Sequence, residues 1–297
     1  MMVTKKEFNT NIRMSTLKSF SFALLIIVIS GTAELTAQIP FETYSYSGTA
    51  LDISGETNNA RATSWKPDGT MIFVTGRFTE NVISYSLEEP WELDSAVYND
   101  EFDLSNEFGS TKQRSRAHGL YLRNDGEKMW VFNRDEIWGY TLQTPWILSS
   151  AVHTYFMNLT LLVERGHDFD FSPDGSRLYI DDRNAQTVYE THLSTPWDIT
   201  TLEPVYTLNI SDQEEEVRGL EIIKDGTILL LMDTARKEIL QYTLSVPYDL
   251  STAEYLDAFD VSAQTDDPRG LSLSSDYSRI YITGRDNEEI YQYVRRK

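Results

Sequence analysis

The sequence predicts an all-β chain folded as a five-bladed β-propeller, with four antiparallel strands per blade and the last blade closed by the N-terminal strand. Three observations predict it. The phrase "FSPDGSRLYI" (171–180) recurs more loosely as "WKPDGTMIFV" from 65, "LRNDGEKMWV" from 122, "IIKDGTILLL" from 222 and "LSLSSDYSRIYI" from 271. Aligned on Asp68, Asp125, Asp174, Asp225 and Asp276, the copies stand 57, 49, 51 and 51 residues apart, a period that means stacked or radially repeated units. The fifth copy stops after its third strand, at "IYQYVRRK", while a segment with a fourth-strand ending, "YSYSGTALDIS" (44–54), stands at the other end of the chain.

Each element of the unit follows in order. The quoted phrase is a hairpin: an inner strand, a "PDG" or "NDG" turn whose Asp and Gly allow a tight reversal, and a second strand of alternating apolar residues. A third strand follows as "NVISYSL", "EIWGYTL", "TVYETHL", "EILQYTL" and "EIYQYV". A second turn then opens with Pro and an aromatic, as in "EEPWELDSA", "QTPWILSSA", "STPWDITTL" and "SVPYDLSTA". The fourth strand ends in "FDLS", "MNLT", "LNIS" or "FDVS", and the "LDIS" of residues 51–54 matches these endings. The N-terminal strand therefore completes the fifth sheet, which hides an otherwise open edge. The sequons "NLT" and "NIS" fall at this strand ending, so they are read as structural first.

Residues 1–37 read as a signal peptide and 38–297 as one propeller domain. The apolar run "FALLIIVIS" (22–30) follows Lys5, Lys6, Arg13 and Lys18 and precedes small residues, the order of a secretory signal and short for a transmembrane helix. An uncleaved anchor is the alternative, and Met14 is an alternative start. A secreted or periplasmic protein with no stable membrane insertion after cleavage is expected. The chain carries 26 Lys and Arg against 46 Asp and Glu, a net charge of -20, which argues against nucleic acid as a partner, because a phosphate backbone needs a cationic face. With no cysteine, thiol catalysis and Cys-bound zinc are excluded.

"FSPDGSRLYI", with "RGL" a few residues upstream in other copies, resembles the repeats of secreted bacterial propellers of the lactonase-like, NHL and TolB type. The resemblance covers essentially all of 38–297. It implies the propeller fold and leaves activity open, since such propellers serve as enzymes, binders and scaffolds.

Internal alignment supplies the candidate site. Seven residues before the turn Asp stand Arg61, His118, His167, Arg218 and Arg269; nine after it stand Arg77, Arg134, Arg183 and Arg285, with Thr234 in the fourth copy. In a propeller both positions open on one face, so a cationic ring is expected at one channel mouth. Arginine forks there would take a carboxylate, sulfate or phosphate, and the two His would add pH sensitivity. Pairing of each Arg with the acidic loops ("DQEEE", "TDD", "DNEE") is the structural alternative. A second, weaker candidate is "GHDFDF": His167, Asp168 and Asp170 as ligands for Ca2+ or another divalent metal, or as acid–base groups. The insertion "NEFGSTKQRSR" (106–116) is a candidate lid. Trp91, Trp146, Trp197 and Tyr248 are candidates for stacking on a glycan, against a packing role in their own turns. Three functions remain open: a module binding an anionic or glycan ligand or a protein, a lactonase-like metal-assisted hydrolase or lyase, and a structural scaffold.

Overall fold

The computed structural model describes residues 38–105 and 117–296; residues 1–37, expected to be a signal peptide, and the 106–116 insertion lie outside the described residues. The described residues form five four-stranded antiparallel sheets. Blade one holds β2 (Ala60–Trp65), β3 (Met71–Gly76), β4 (Asn81–Leu87) and β5 (Ala96–Asp103). Blade two holds β6 (Leu120–Leu122), β7 (Lys128–Asn133), β8 (Glu136–Leu142) and β9 (Ala151–Asn158). Blade three holds β10 (Phe169–Phe171), β11 (Arg177–Asp182), β12 (Thr187–Leu193) and β13 (Leu202–Asn209). Blade four holds β14 (Val217–Ile223), β15 (Ile228–Asp233), β16 (Glu238–Leu244) and β17 (Ala253–Asp260). Blade five is β18 (Pro268–Leu273), β19 (Arg279–Gly284) and β20 (Glu289–Arg295), with β1 (Tyr44–Asp52) as its outer strand.

The closure is therefore as the sequence predicts. β1 pairs with β20 from Tyr44↔Arg295 to Asp52↔Glu289, with a bulge between Tyr46 and Ala50 where Gly48 takes φ +90°. The N-terminal segment also supplies a turn. In blade three the Glu190 carboxylate accepts the Leu250 N–H of the next blade's turn at 2.9 Å, and in blade five Gln292 accepts the Leu93 N–H at 3.1 Å. Gln241, the equivalent residue of blade four, accepts the N–H of Ile39 at 2.6 Å. Residues 39–43 thus stand in for the second turn that the fifth repeat lacks.

Five apolar clusters lie at the five seams between blades. One of them, for instance, joins Ile72 and Ile83 of blade one to Tyr281 and Ile290 of blade five. The expected alternation gives way in the middle strands to near-continuous apolar runs such as "MIFV" and "ILLLM", because residues on both their faces are buried between neighbouring sheets.

The Pro-aromatic turns are settled by packing. Trp91, Trp146, Trp197 and Tyr248 adopt φ between +64° and +70°, and each ring lies over the turn glycine of its own blade: Gly69, Gly126, Gly175 and Gly226. A Cβ on any of these glycines would collide with the ring. In the fifth repeat no aromatic turn follows, and there Tyr277 stands where the other blades have glycine. The strand endings also share one device: Asp52, Asp103, Asn158, Asn209 and Asp260 each accept the N–H of the Ser or Thr two residues on.

Candidate functional site

The innermost strands crowd at one level. A Cβ on Gly119 would lie 2.8 Å from the Asp168 carboxylate, and one on Gly219 would lie 2.8 Å from the Arg269 carbonyl of the next blade. The backbones of adjacent blades approach closely here, which is why glycine recurs at this level. A cavity of about 270 Å³ lies on one side of this waist, lined by Thr63, Tyr121, Asp170, Glu221 and Ser272 among others, and none of the ring residues lines it. The ring lies on the other side.

The structure brings the predicted ring together. Electrostatic coupling links Arg61 to Arg77, Arg218, Arg269 and Arg285, and His118 to Arg61, Arg77, Arg134 and Arg218. Arg183 faces Arg165 and Glu216. Arg165, two residues before His167, is a ring member that the repeat alignment misses, because of the equivalent positions Asn59, Arg116, Glu216 and Asp267 only Arg116 is basic. The ring has two tiers. Arg61, His118, His167 and Arg269 are buried, at 2–4% exposure, whereas Arg183 and Arg285 keep 26% and 37% of their side chains exposed.

Pairing is incomplete. Glu216 holds both Arg218 and Arg183, and Asp267 holds both Arg269 and Arg285. Two carboxylates thus serve four guanidinium groups. Arg61 has no carboxylate partner among the described residues: its Nη2 donates to Asn59 Oδ1, and its Nε and Nη1 have no hydrogen-bond partner. Glu288, on the neighbouring blade, is occupied by the N–H groups of Asn59 and Ala60 at 2.7 and 2.9 Å. Burial, then the charges of Arg269, Arg77, Arg218 and Arg285, push the Arg61 guanidinium down to about 7. The structural alternative, in which acidic loops neutralise every Arg, is met for four residues and fails at Arg61.

The two imidazoles stack edge to face, with ring centres 4.8 Å apart. Neither nitrogen of His118 has a partner among the described residues. His167 Nε2 lies 3.0 Å from Arg218 Nη1, so that nitrogen is the acceptor and the ring is neutral. Burial, followed by neighbouring positive charge, holds both well below the ordinary histidine range.

The expectation of a metal on His167, Asp168 and Asp170 is corrected by the geometry. Among the described residues no group of three or more His, Asp or Glu side chains is placed to hold a metal ion. His167 faces the ring. Asp168 accepts the N–H of Phe169 and of Leu220 in blade four at 3.0 and 3.1 Å. Asp170 likewise accepts Phe171 and Ile222 at 2.8 Å each. These carboxyls satisfy inner-strand N–H groups that have no strand partner toward the channel. Burial raises Asp170 to about 7, against the lowering effect of those two bonds.

No family model matches the chain, and no curated protein does. Solved structures that resemble it do so at low identity. A functionally unknown protein from Desulfotomaculum acetoxidans is 13% identical over 76% of this chain and 63% of its own, with a TM-score of 0.46. The periplasmic gluconolactonase of Pseudomonas aeruginosa is 12% identical over 78% and 65%, at 0.44. The β-propeller domain of Swd1 from Myceliophteria thermophila is 8% identical over 79% and 82%, at 0.47. The chain thus spans less than two thirds of the first two.

Proposed function

We propose that this chain is an exported ligand-binding propeller that takes an anion at the arginine-ringed mouth of its channel. The observation that carries this reading is Arg61: a buried guanidinium with two nitrogens unpartnered and no carboxylate on it among the described residues, faced by four other arginines. An uncompensated buried charge is costly, and an anion seated on the outer tier of the ring supplies the missing compensation. Arg183 and Arg285 are exposed enough to meet such a ligand directly, and their forks suit a carboxylate, sulfate or phosphate. Export rests on the apolar segment 22–30 behind four basic residues.

The test is calorimetric titration of the full chain with sulfate, phosphate, citrate and an acidic sugar at constant ionic strength. Binding that is lost in Arg183→Gln with Arg285→Gln supports the reading. No heat with any of the four anions, together with melting temperatures that none of them raises, overturns it.

A further inference from the structure

Below the outer tier, the ring contains a buried imidazole that its surroundings leave idle. His118 is 2% exposed, neither of its nitrogens has a hydrogen-bond partner among the described residues, and its backbone is fixed. Its carbonyl accepts the Ala62 N–H at 3.3 Å and the Thr75 hydroxyl at 2.8 Å, and its own N–H donates to the Phe132 carbonyl at 2.8 Å. A neutral imidazole that serves only to pack has no need to sit among arginines. We propose that His118 couples anion binding to proton uptake, so that the ring takes its ligand more tightly as pH falls.

The inference rests on the anion reading given above and specifies its regulation. The groups that face His118 come from every neighbouring element. Arg61 comes from β2, Arg77 from the turn after β3, Arg134 from the turn after β7, Arg218 from β14, and His167 from the chain entering β10. Two carboxyls stand on the blade-three side: Asp168, against Gly119, accepts the N–H groups of Phe169 and Leu220, and Asp181 gives Oδ1 to the N–H groups of His167 and Asp168 at 2.5 and 2.9 Å, its Oδ2 being without a partner among the described residues. Glu216 is committed to Arg218 and Arg183. The empty ring therefore opposes a proton on His118, which stays neutral. A dianion on the outer tier reverses the local potential and lifts that opposition. By linkage the effect is reciprocal: protonated His118 strengthens the anion by the factor with which the anion favours the proton. Direct contact with the ligand is not needed, because unscreened charge acts over several ångströms in a buried region.

Sulfate is the probe, since its own charge does not change between pH 5 and 8. The full chain is titrated with sulfate across that range at constant ionic strength, in buffers of different ionisation enthalpy, which reports protons taken up per sulfate bound. The expected result is net uptake, an affinity that rises by up to about tenfold per pH unit for each proton taken up, and a flat profile in His118→Gln that still binds. Sulfate binding of equal strength at every pH overturns the coupling and leaves the anion site standing. A slope that survives in His118→Gln overturns the assignment to His118. Absence of binding by sulfate, phosphate and citrate alike is the separate failure of the anion reading itself. If His118→Gln does not fold, the imidazole nitrogen signals of the unaltered protein carry the test. A His118 resonance that shifts toward the protonated form on adding sulfate at pH 5.5 supports the proposal, and one that does not move overturns it.

Discussion

Replacing Arg61 by methionine should make the ligand-free protein more stable while abolishing its response to anions. The side chain makes one hydrogen bond, to Asn59, which contributes about 1 kcal/mol. Against this stand two buried nitrogens without partners, at about 1–3 kcal/mol each, and repulsion from Arg77, Arg218, Arg269 and Arg285. Methionine keeps most of the aliphatic volume and so leaves little cavity. Exchanging buried ionic groups for apolar ones of similar size gains about 1–4 kcal/mol in comparable settings. At about 2–4 °C per kcal/mol for a domain approaching this size, the Arg61→Met melting temperature should rise by roughly 2–16 °C. Scanning calorimetry at low salt, with and without sulfate, checks both halves. The unaltered protein should gain stability with sulfate, and the variant should start higher and gain little. A melting temperature that falls in the variant without sulfate would mean that Arg61 stabilises the fold where it stands, and the argument for a waiting anion site would collapse.

Three further outcomes test the architecture. Glu214 is fully buried with neither carboxyl oxygen partnered, and burial, then Asp233 and Asp181, raises it from 4.5 to about 8. Its proton is kept by the folded chain and already lost by the unfolded one between those values, so stability should decline as pH climbs from 4.5 to about 8. Glu214→Gln should remove that decline, by at most about 5 kcal/mol at pH 8.5, and melting curves of equal slope for both proteins would refute it. Gly175→Ala should destabilise by about 2 kcal/mol or more, because Gly175 sits at φ +71° beneath the Trp197 ring; denaturant midpoints within error of each other would count against the stacking argument. A chain beginning at Ile53 should lose its closed ring and self-associate through the freed edge of β20, which light scattering detects, and a monomer with an unchanged melting temperature would contradict the role given to β1.

Most of the fold is legible because the repeat is an internal alignment. Turn glycines, turn aspartates and strand-ending Asp or Asn recur where the backbone demands them, so five imperfect copies specify one blade and its period. The closure was legible for the same reason, since "LDIS" at 51–54 is a fourth-strand ending placed too early in the chain. What lay hidden was the contribution of Ile39. Its role is carried by a backbone N–H bonded to Gln241, and no side chain announces it. The Arg/His ring was legible as positions, but its pairing was not. Which carboxylate reaches which guanidinium depends on side-chain reach across blades, and the acidic loops contain more candidates than the ring uses. Asp168 and Asp170 misled as metal ligands because an acid aimed at a channel and an acid accepting a neighbour's N–H look alike in sequence. Arg165 escaped because only one other copy, with Arg116, is basic at its position, the rest having Asn59, Glu216 and Asp267.

The acidity of the chain sharpens the case for the ring. A protein with a net charge of -20 holds acids in plenty, and a structural salt-bridge ring would draw on them at every position. Instead the loops place Glu216 and Asp267 so that each is divided between two arginines, and Glu288, beside Arg61, is turned onto backbone N–H groups. The same repeat that places five basic residues at the strand entry puts Asn59 in the first blade where the fourth and fifth have Glu216 and Asp267. Symmetry accounts for the ring's existence, because one blade plan copied five times yields five inward-facing basic positions. It does not account for the shortfall of carboxylates, which is local and falls at the most buried part of the mouth. A fold assembled only for its own stability would place an apolar residue or an acid-paired Arg there, and the charge that remains is the part of the mouth that a ligand explains and the propeller does not.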